Sequence, residues 1–318
     1  MKLSVIIPTF NRAHLLSEAI NSILSQPFSI HEIIIIDDAS TDSTQKLCHD
    51  LQLKGLKSDI ILIRNSTNLG AQVSRNRGLL SSTGDAILFM DSDDILAEKG
   101  VMLIMRELEN SPSLDYVYGK VLMTDSKLVP LENSPPVGSC FTLIPAEIAG
   151  YHWHTMGAIY RKTYLQKVGL WDESLTGSQD WEFQARVKLT GGKGKFIDHT
   201  IGFWRDHNEN RVGTKNFRYD YVKSTVNACI LIRDKAREVG MLDTYLERRL
   251  AKKILIHALE FAVHGYREER CKSLLHAVET LQQNLMMQIT LRFWQSLSSN
   301  FDVLAWKIIH LKESSFTR

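Results

Sequence analysis

The stretch Ala86-Ile-Leu-Phe-Met90 runs without a break into Asp91-Ser-Asp-Asp94, and it narrows the fold more than any other feature. A continuous apolar run of this length suits a strand buried on both faces, as in a parallel sheet covered by helices. In open α/β sheets, ligands bind outside the carboxyl ends of the strands, so Asp91, Asp93 and Asp94 stand where a ligand is expected. Carboxylates packed this closely repel one another unless a cation neutralises them or their pKa values rise. Oxygen donors favour a hard ion, Mg²⁺ or Mn²⁺, which in turn binds diphosphate oxygens. The competing role is capping: residues from Ile95 onward have a helical pattern, and Asp93 or Asp94 could begin that helix.

Three similar units precede this one. Leu3-Ser-Val-Ile-Ile7 is a β-branched strand closed by Pro8-Thr-Phe10-Asn-Arg12, and Leu15, Leu16, Ala19, Ile20 and Ile23 predict a helix over 14–24. Glu32-Ile-Ile-Ile-Ile36 is a second strand, ending in Asp37-Asp38, with a helix over 43–51 after it. Ile60-Ile-Leu-Ile63 is a third, leading through Asn65 and Gly70 to a helix carrying Arg75 and Arg77. This alternation argues for a doubly wound, mostly parallel sheet, with the strand-end segments on one edge. That edge has no Gly-x-Gly-x-x-Gly turn and no Gly-Lys-Ser/Thr loop, so phosphate must be held by a metal on the acids and by arginine. Turn and N-cap chemistry is an equally ordinary use of Asp37 and Asp38, and the spacing does not tell Arg75 from Arg77.

With 318 residues, 44% of them apolar and 23% charged, the chain has the make-up of a globular protein with a sizeable core. A net charge of +2 gives no reason to invoke nucleic acid. Cys48, Cys140, Cys229 and Cys271 lack metal-type spacing and are expected to be buried free thiols in a reducing compartment. No apolar run is long enough to span a membrane and no signal-peptide pattern precedes the first strand, which predicts a cytoplasmic protein.

Taken together, Ser4-to-Arg12, Ile33-to-Asp42, Asn68-to-Gly78 and Gly84-to-Asp94 resemble the successive motifs of glycosyltransferase family 2. The resemblance spans about the first two thirds of the chain. It implies the GT-A fold, a Rossmann-like α/β architecture, with a nucleotide-sugar donor (UDP by default), a divalent metal and inversion at the anomeric carbon. Carried over by position, Pro8, Phe10 and Arg12 would border the base and Asp38 would bond its edge. Arg75 would sit near the donor, and Asp91, Ser92 and Asp93 would serve ribose, diphosphate and metal.

Further along, Tyr116-to-Met123 reads as a strand crossing the sheet in the opposite direction. Trp153 and His154 are candidates for acceptor contact, with ordinary packing as the alternative. Gly177-Ser-Gln179-Asp180-Trp-Glu182 resembles the family's Glu-Asp-Trp segment, with Gln179 in place of the usual Glu. An acceptor hydroxyl must lose a proton as it attacks, and the resemblance makes Asp180 the base; without it, Asp180 would be an N-cap. Arg205-Asp-His207 matches the family's Arg-x-His, which makes His207 a further metal ligand, while Arg211 could clamp diphosphate.

Residues 1–216 are therefore expected to form the catalytic domain and 217–318 a helical extension, marked by apolar faces such as Val222/Val226/Cys229 and Leu250/Ile254/Ala258/Phe261. Arg248, Arg249, Lys252 and Lys253, with Phe293, Trp294 and Trp306, suggest peripheral attachment to an anionic membrane surface near a saccharide or lipid-linked acceptor. A homodimer is the other arrangement this extension allows. Two rival functions are a sugar-1-phosphate nucleotidyltransferase, whose usual glycine-rich, Lys-Pro-containing N-terminal segment is missing, and a catalytically silent nucleotide-sugar-binding protein.

Overall fold

A computed structural model describes residues 1–131, 153–206 and 218–280. These divide into two compact units: residues 1–131, 153–173 and 190–206 form the first, and 174–189 with 218–280 the second. The division follows packing rather than chain order, so the helix bearing Asp180 groups with the C-terminal helices.

The first unit is built on one mixed sheet of eight strands in the order β3-β2-β1-β4-β7-β6-β8-β5. Strands β1 (Leu3–Thr9), β2 (Glu32–Asp37), β3 (Asp59–Arg64) and β4 (Ala86–Phe89) are parallel neighbours, as the apolar runs predict. Between them lie helices α1 (Ala13–Leu24), α2 (Thr44–Gln52) and α3 (Ala71–Ser81). Alternate residues of the strands divide between two faces. Leu3, Val5 and Ile7 join Ile33, Ile35 and Leu88 in a core that also holds Leu16 and Ile20 of α1 and Cys48 of α2. On the other face α3 lies close against β1, because Gly78 has no side chain: a Cβ there would stand 2.4 Å from Cγ2 of Ile6.

Two expectations fail in the second half of the sheet. Ile95–Leu96 is not the start of a helix but a short strand, β5, antiparallel to β8 (Gly194–Arg205); helix α4 begins at Gly100 and runs to Asn110. Ile95 and Leu96 therefore belong to a sheet edge, with the Leu96 amide donating to Ser22 Oγ of α1 at 3.1 Å, and Asp93 and Asp94 do not cap a helix there. Gly202 makes the pairing close, since a Cβ there would lie 2.7 Å from the Ile95 carbonyl oxygen. The second failure concerns direction. Strand β6 (Tyr116–Thr124) runs parallel to β8 and in the same sense as β4, whereas β7 (Ala158–Arg161), wedged between β4 and β6, is antiparallel to both.

In the second unit, α6 (Gln179–Leu189), α7 (Tyr219–Glu238), α8 (Thr244–Val263) and α9 (Arg267–Thr280) bury a common core. Helix α5 (Lys162–Val168) belongs to the first unit. The predicted faces are the buried ones: Val222, Val226 and Cys229 meet Leu250, Ile254 and Phe261, with Trp181 and Ala185 of α6 among them. Asp243 caps α8 by accepting from the Leu246 amide at 2.8 Å. Among the described residues no helix is long and apolar enough to cross a membrane. Cys48 and Cys229 are buried free thiols, but Cys271 is exposed, contrary to the expectation, and Cys140 lies outside the described residues.

Candidate active site

The carboxyl ends of β1, β2 and β4 lie side by side, and each ends in polar loop residues. Phe10, just past β1, is 43% exposed, whereas Pro8 is buried within the strand. Arg12 donates to Asp93 Oδ2 at 2.8 Å. Loop residues knit this edge together: the Asn11 amide donates to Ser40 Oγ at 2.9 Å, and the Ala13 amide to Asp42 at 3.0 Å.

At β2 the two aspartates are engaged by the protein itself. Asp37 accepts from the Ser40 amide at 2.8 Å and from Arg64 at 2.7 Å. Asp38 accepts from Asn65 at 2.6 Å and from the amides of Leu69 and Gly70 at 2.9 and 2.8 Å. That uses three of the roughly four acceptor positions a carboxylate offers. Asp38 thus clamps the loop that leads into α3. Arg77 joins the same loop, donating to Asn65 Oδ1 and to the Arg64 carbonyl.

Arg75 points the other way. It is 3% exposed, lies 4.5 Å from the centroid of the Trp171 ring, and donates through Nη2 to Asp91 Oδ1 at 2.5 Å. Its Nε and Nη1 are buried and bond to none of the described residues. A guanidinium stacked on indole and paired on one edge is held rigid, with donors left over for a second anion. Desolvation would raise the Asp91 carboxyl, but Arg75, His154 and Arg12 together hold it below the usual carboxylate range.

Asp91, Asp94 and His154 form the cluster suited to a cation, their ligand atoms all within 4.8 Å of one another. Nδ1 of His154 is 3.7 Å from Asp94 Oδ2, and the Arg205 amide lies 3.4 Å from Asp94 Oδ1. The grouping differs from the expected one. Asp93 is drawn to Arg12 instead, and the imidazole comes from His154, read from sequence as an acceptor contact. His207 and Arg211 lie outside the described residues. Two carboxylates and one imidazole suit a divalent cation. Ser92 is buried between the acids.

Trp153 is fully buried, not at a surface where a sugar could reach it. Its indole donates to Tyr160 Oη at 2.7 Å, and its ring packs 4.7 Å from that of Tyr118. Sequence reasoning counted Asp94 among the strand-end acids without giving it to the metal, and it passed over Trp171. Asp94 was legible as the last acid of Asp-x-Asp-Asp, but nothing in the chain's local pattern ties Trp171 to Arg75.

The family model for glycosyl transferase family 2 matches residues 4–168, which takes in β1 to β4, the Arg75 helix and His154. The chain belongs to this family. A *Campylobacter jejuni* GalNAc(5)-diNAcBac-PP-undecaprenol β-1,3-glucosyltransferase is 36% identical over 122 residues, which are 38% of this chain and 38% of that protein. A *Staphylococcus aureus* poly(ribitol-phosphate) β-N-acetylglucosaminyltransferase, TarP, is 42% identical over 102 residues, 31% of each chain. The chain therefore spans well under half the length of either relative. A crystal structure of *S. aureus* TarS in complex with UDP-GlcNAc superposes with a TM-score of 0.69 at 18% identity, covering 88% of this chain and 82% of that one. At that identity the likeness concerns the fold.

In the second unit, Gln179 and Asp180 open α6, both half-buried. Asp180 Oδ1 accepts from the Trp181 amide at 2.9 Å, and Gln179 Oε1 has no partner among the described residues. The approach to α6 is pinned to α7, with the Gly177 amide donating to Ser224 Oγ at 3.0 Å and that hydroxyl donating back to the Gly177 carbonyl at 2.7 Å.

Proposed function

We propose that this chain is an inverting, metal-dependent glycosyltransferase. It moves a sugar from a nucleoside-diphosphate sugar, UDP by default, to a hydroxyl of a cell-surface saccharide or lipid-linked glycan. The observation that carries this reading is the cluster of Asp91, Asp94 and His154 beside the half-engaged Arg75. Family membership supports the reaction class, and the names of two relatives, one working on an undecaprenol-linked saccharide and one on poly(ribitol-phosphate), support the acceptor class.

On this reading the exposed Phe10 ring and Pro8 border the base, while Asp38 keeps the loop before α3 in register beside it. Asp91, Asp94 and His154 would hold Mn²⁺ or Mg²⁺, which when bound would supply Lewis-acid stabilisation of the leaving diphosphate. Arg75 turns its spare donors to a diphosphate oxygen, adding fixed positive charge where negative charge develops. Arg12 keeps Asp93 oriented towards the donor. Asp180 accepts the proton of the acceptor hydroxyl as its oxygen bonds to the anomeric carbon, and the bond from that carbon to the diphosphate breaks. A single displacement inverts configuration. A lipid-linked acceptor would place the work at the inner face of the cell membrane.

A panel of nucleotide sugars, each with and without Mn²⁺, tests the proposal. The expected products are nucleoside diphosphate and transferred or hydrolysed sugar, formed only with the divalent ion. Formation of a nucleotide sugar and pyrophosphate from a nucleoside triphosphate and a sugar 1-phosphate, or tight donor binding with no turnover under any condition, would refute it.

A further inference from the structure

Helix α8 carries Tyr245, Arg249 and Lys253 at intervals of four residues, which puts them on one ridge, with Arg248 and Lys252 on the ridge beside it. Arg248, Arg249 and Lys252 are exposed, and Tyr245 is 47% exposed. Lys253 is recessed: it is half-buried, and its ammonium lies 4.1 Å from the centroid of Trp181, the residue that follows Asp180. Among the described residues neither Arg249 nor Lys253 is in an ion pair. The acids of α8 do not answer them, since Glu247 is buried and Glu260 bonds His257 at 2.7 Å.

The recessed ammonium is not at ease there. Burial lowers the Lys253 pKa, Cys229 and Asp180 act to raise it, and Arg249 one turn away lowers it further. A partly desolvated cation next to a second cation is stabilised by an incoming anion. A flat lipid surface would meet the exposed Arg248, Arg249 and Lys252 but would not reach a lysine sunk against Trp181. A flexible chain bearing phosphates at intervals can enter that recess. The Tyr245 ring on the same ridge offers a face to its polyol or sugar carbons.

We propose that the Arg249–Lys253 ridge binds a phosphodiester of the acceptor, so that the acceptor is an anionic, phosphate-bearing polymer threaded past Asp180. This deepens the transferase reading and rests on Asp180 as the base. The test is calorimetry on the full chain without donor. It compares a synthetic phosphodiester-linked polyol oligomer, a neutral oligosaccharide of equal length, and vesicles rich in phosphatidylglycerol. The oligomer should bind at least about tenfold more tightly than the neutral chain, and less tightly as salt rises. Arg249→Gln and Lys253→Gln should each weaken binding roughly tenfold or more, with Lys253→Arg restoring most of it. Arg249 is exposed, so its variant reports on binding even if Lys253→Gln folds poorly.

Equal affinity for the neutral chain, no binding of the oligomer, unchanged affinity in Arg249→Gln, or capture by vesicles alone would each overturn the inference. Because turnover is not read, failure here leaves the transferase reading standing. That reading falls separately if Asp180→Asn still transfers sugar at the wild-type rate.

Discussion

At the carboxyl end of β2, Asp37 and Asp38 are taken up by the protein, their oxygens receiving backbone amides of Ser40, Leu69 and Gly70 and the side chains of Arg64 and Asn65. At the end of β4, Asp91 pairs with Arg75, and Asp94 stands beside His154 with the Arg205 amide 3.4 Å away. Both ends look alike in the chain, an isoleucine- or leucine-rich strand running into paired acids. The difference lies in how many donors the fold brings to each carboxylate. An acid surrounded by amides is part of the scaffold. One set among an imidazole, a guanidinium and a second carboxylate is placed to share a cation.

The comparison can be broken most sharply at Asp91. Asp91→Asn should lower metal-dependent turnover by roughly 10²- to 10³-fold, on the several kcal/mol that charge stabilisation by a metal supplies. Its unfolding midpoint should stay near wild type. A large loss of stability with turnover intact would reverse the assignment of the two ends.

Asp38→Ala should do the opposite, removing the acceptor of three hydrogen bonds and destabilising the first unit by about 3 kcal/mol. Denaturant titration reads this directly. A stable Asp38→Ala protein that had lost only donor affinity would make Asp38 a ligand contact after all.

His154→Ala should weaken Mn²⁺ binding about tenfold or more, measured by calorimetry, and should leave the sheet intact. Unchanged affinity would return the imidazole role to a histidine outside the described residues.

The smallest effect belongs to the opposite end of β2. Burial would raise the Glu32 carboxyl, but hydrogen bonds from Ser4 and from the amide and hydroxyl of Thr83 outweigh it and hold the carboxyl below its ordinary value of 4.5. A lowered folded pKa stabilises above the unfolded value and loses that contribution as pH falls through the folded one. Glu32→Gln should therefore cost about 1 kcal/mol at neutral pH and progressively less under acid. A cost independent of pH between neutrality and about pH 3 would show that ionisation is not involved.

Much of the site was legible because its chemistry is concentrated at strand ends. The four parallel strands, the helices between them, and the presence of acids and arginines along one edge all follow from local pattern. Partner choice does not. Arg75 and Arg77 sit two residues apart on α3 with the same side chain, yet one meets Asp91 and the other Asn65, because the helix turns about 200° between them. The helix expected from Ile95 is absent for a similar reason: its first residues pair in the sheet with Phe203 and Gly202, more than a hundred residues away.

The sequence by itself determined the alternation of buried strands and amphipathic helices and the kinds of group that crown the strands, since burial and periodicity act over a few residues. Tertiary structure alone decided which acids gather around a histidine. His154 stands beside Asp91 and Asp94 because β7 is inserted antiparallel to β4, with Ile159 opposite Leu88, so that the start of one strand lies at the end of the other. A contact set by strand order and direction depends on the whole sheet closing at once, and no local stretch of the chain carries that information.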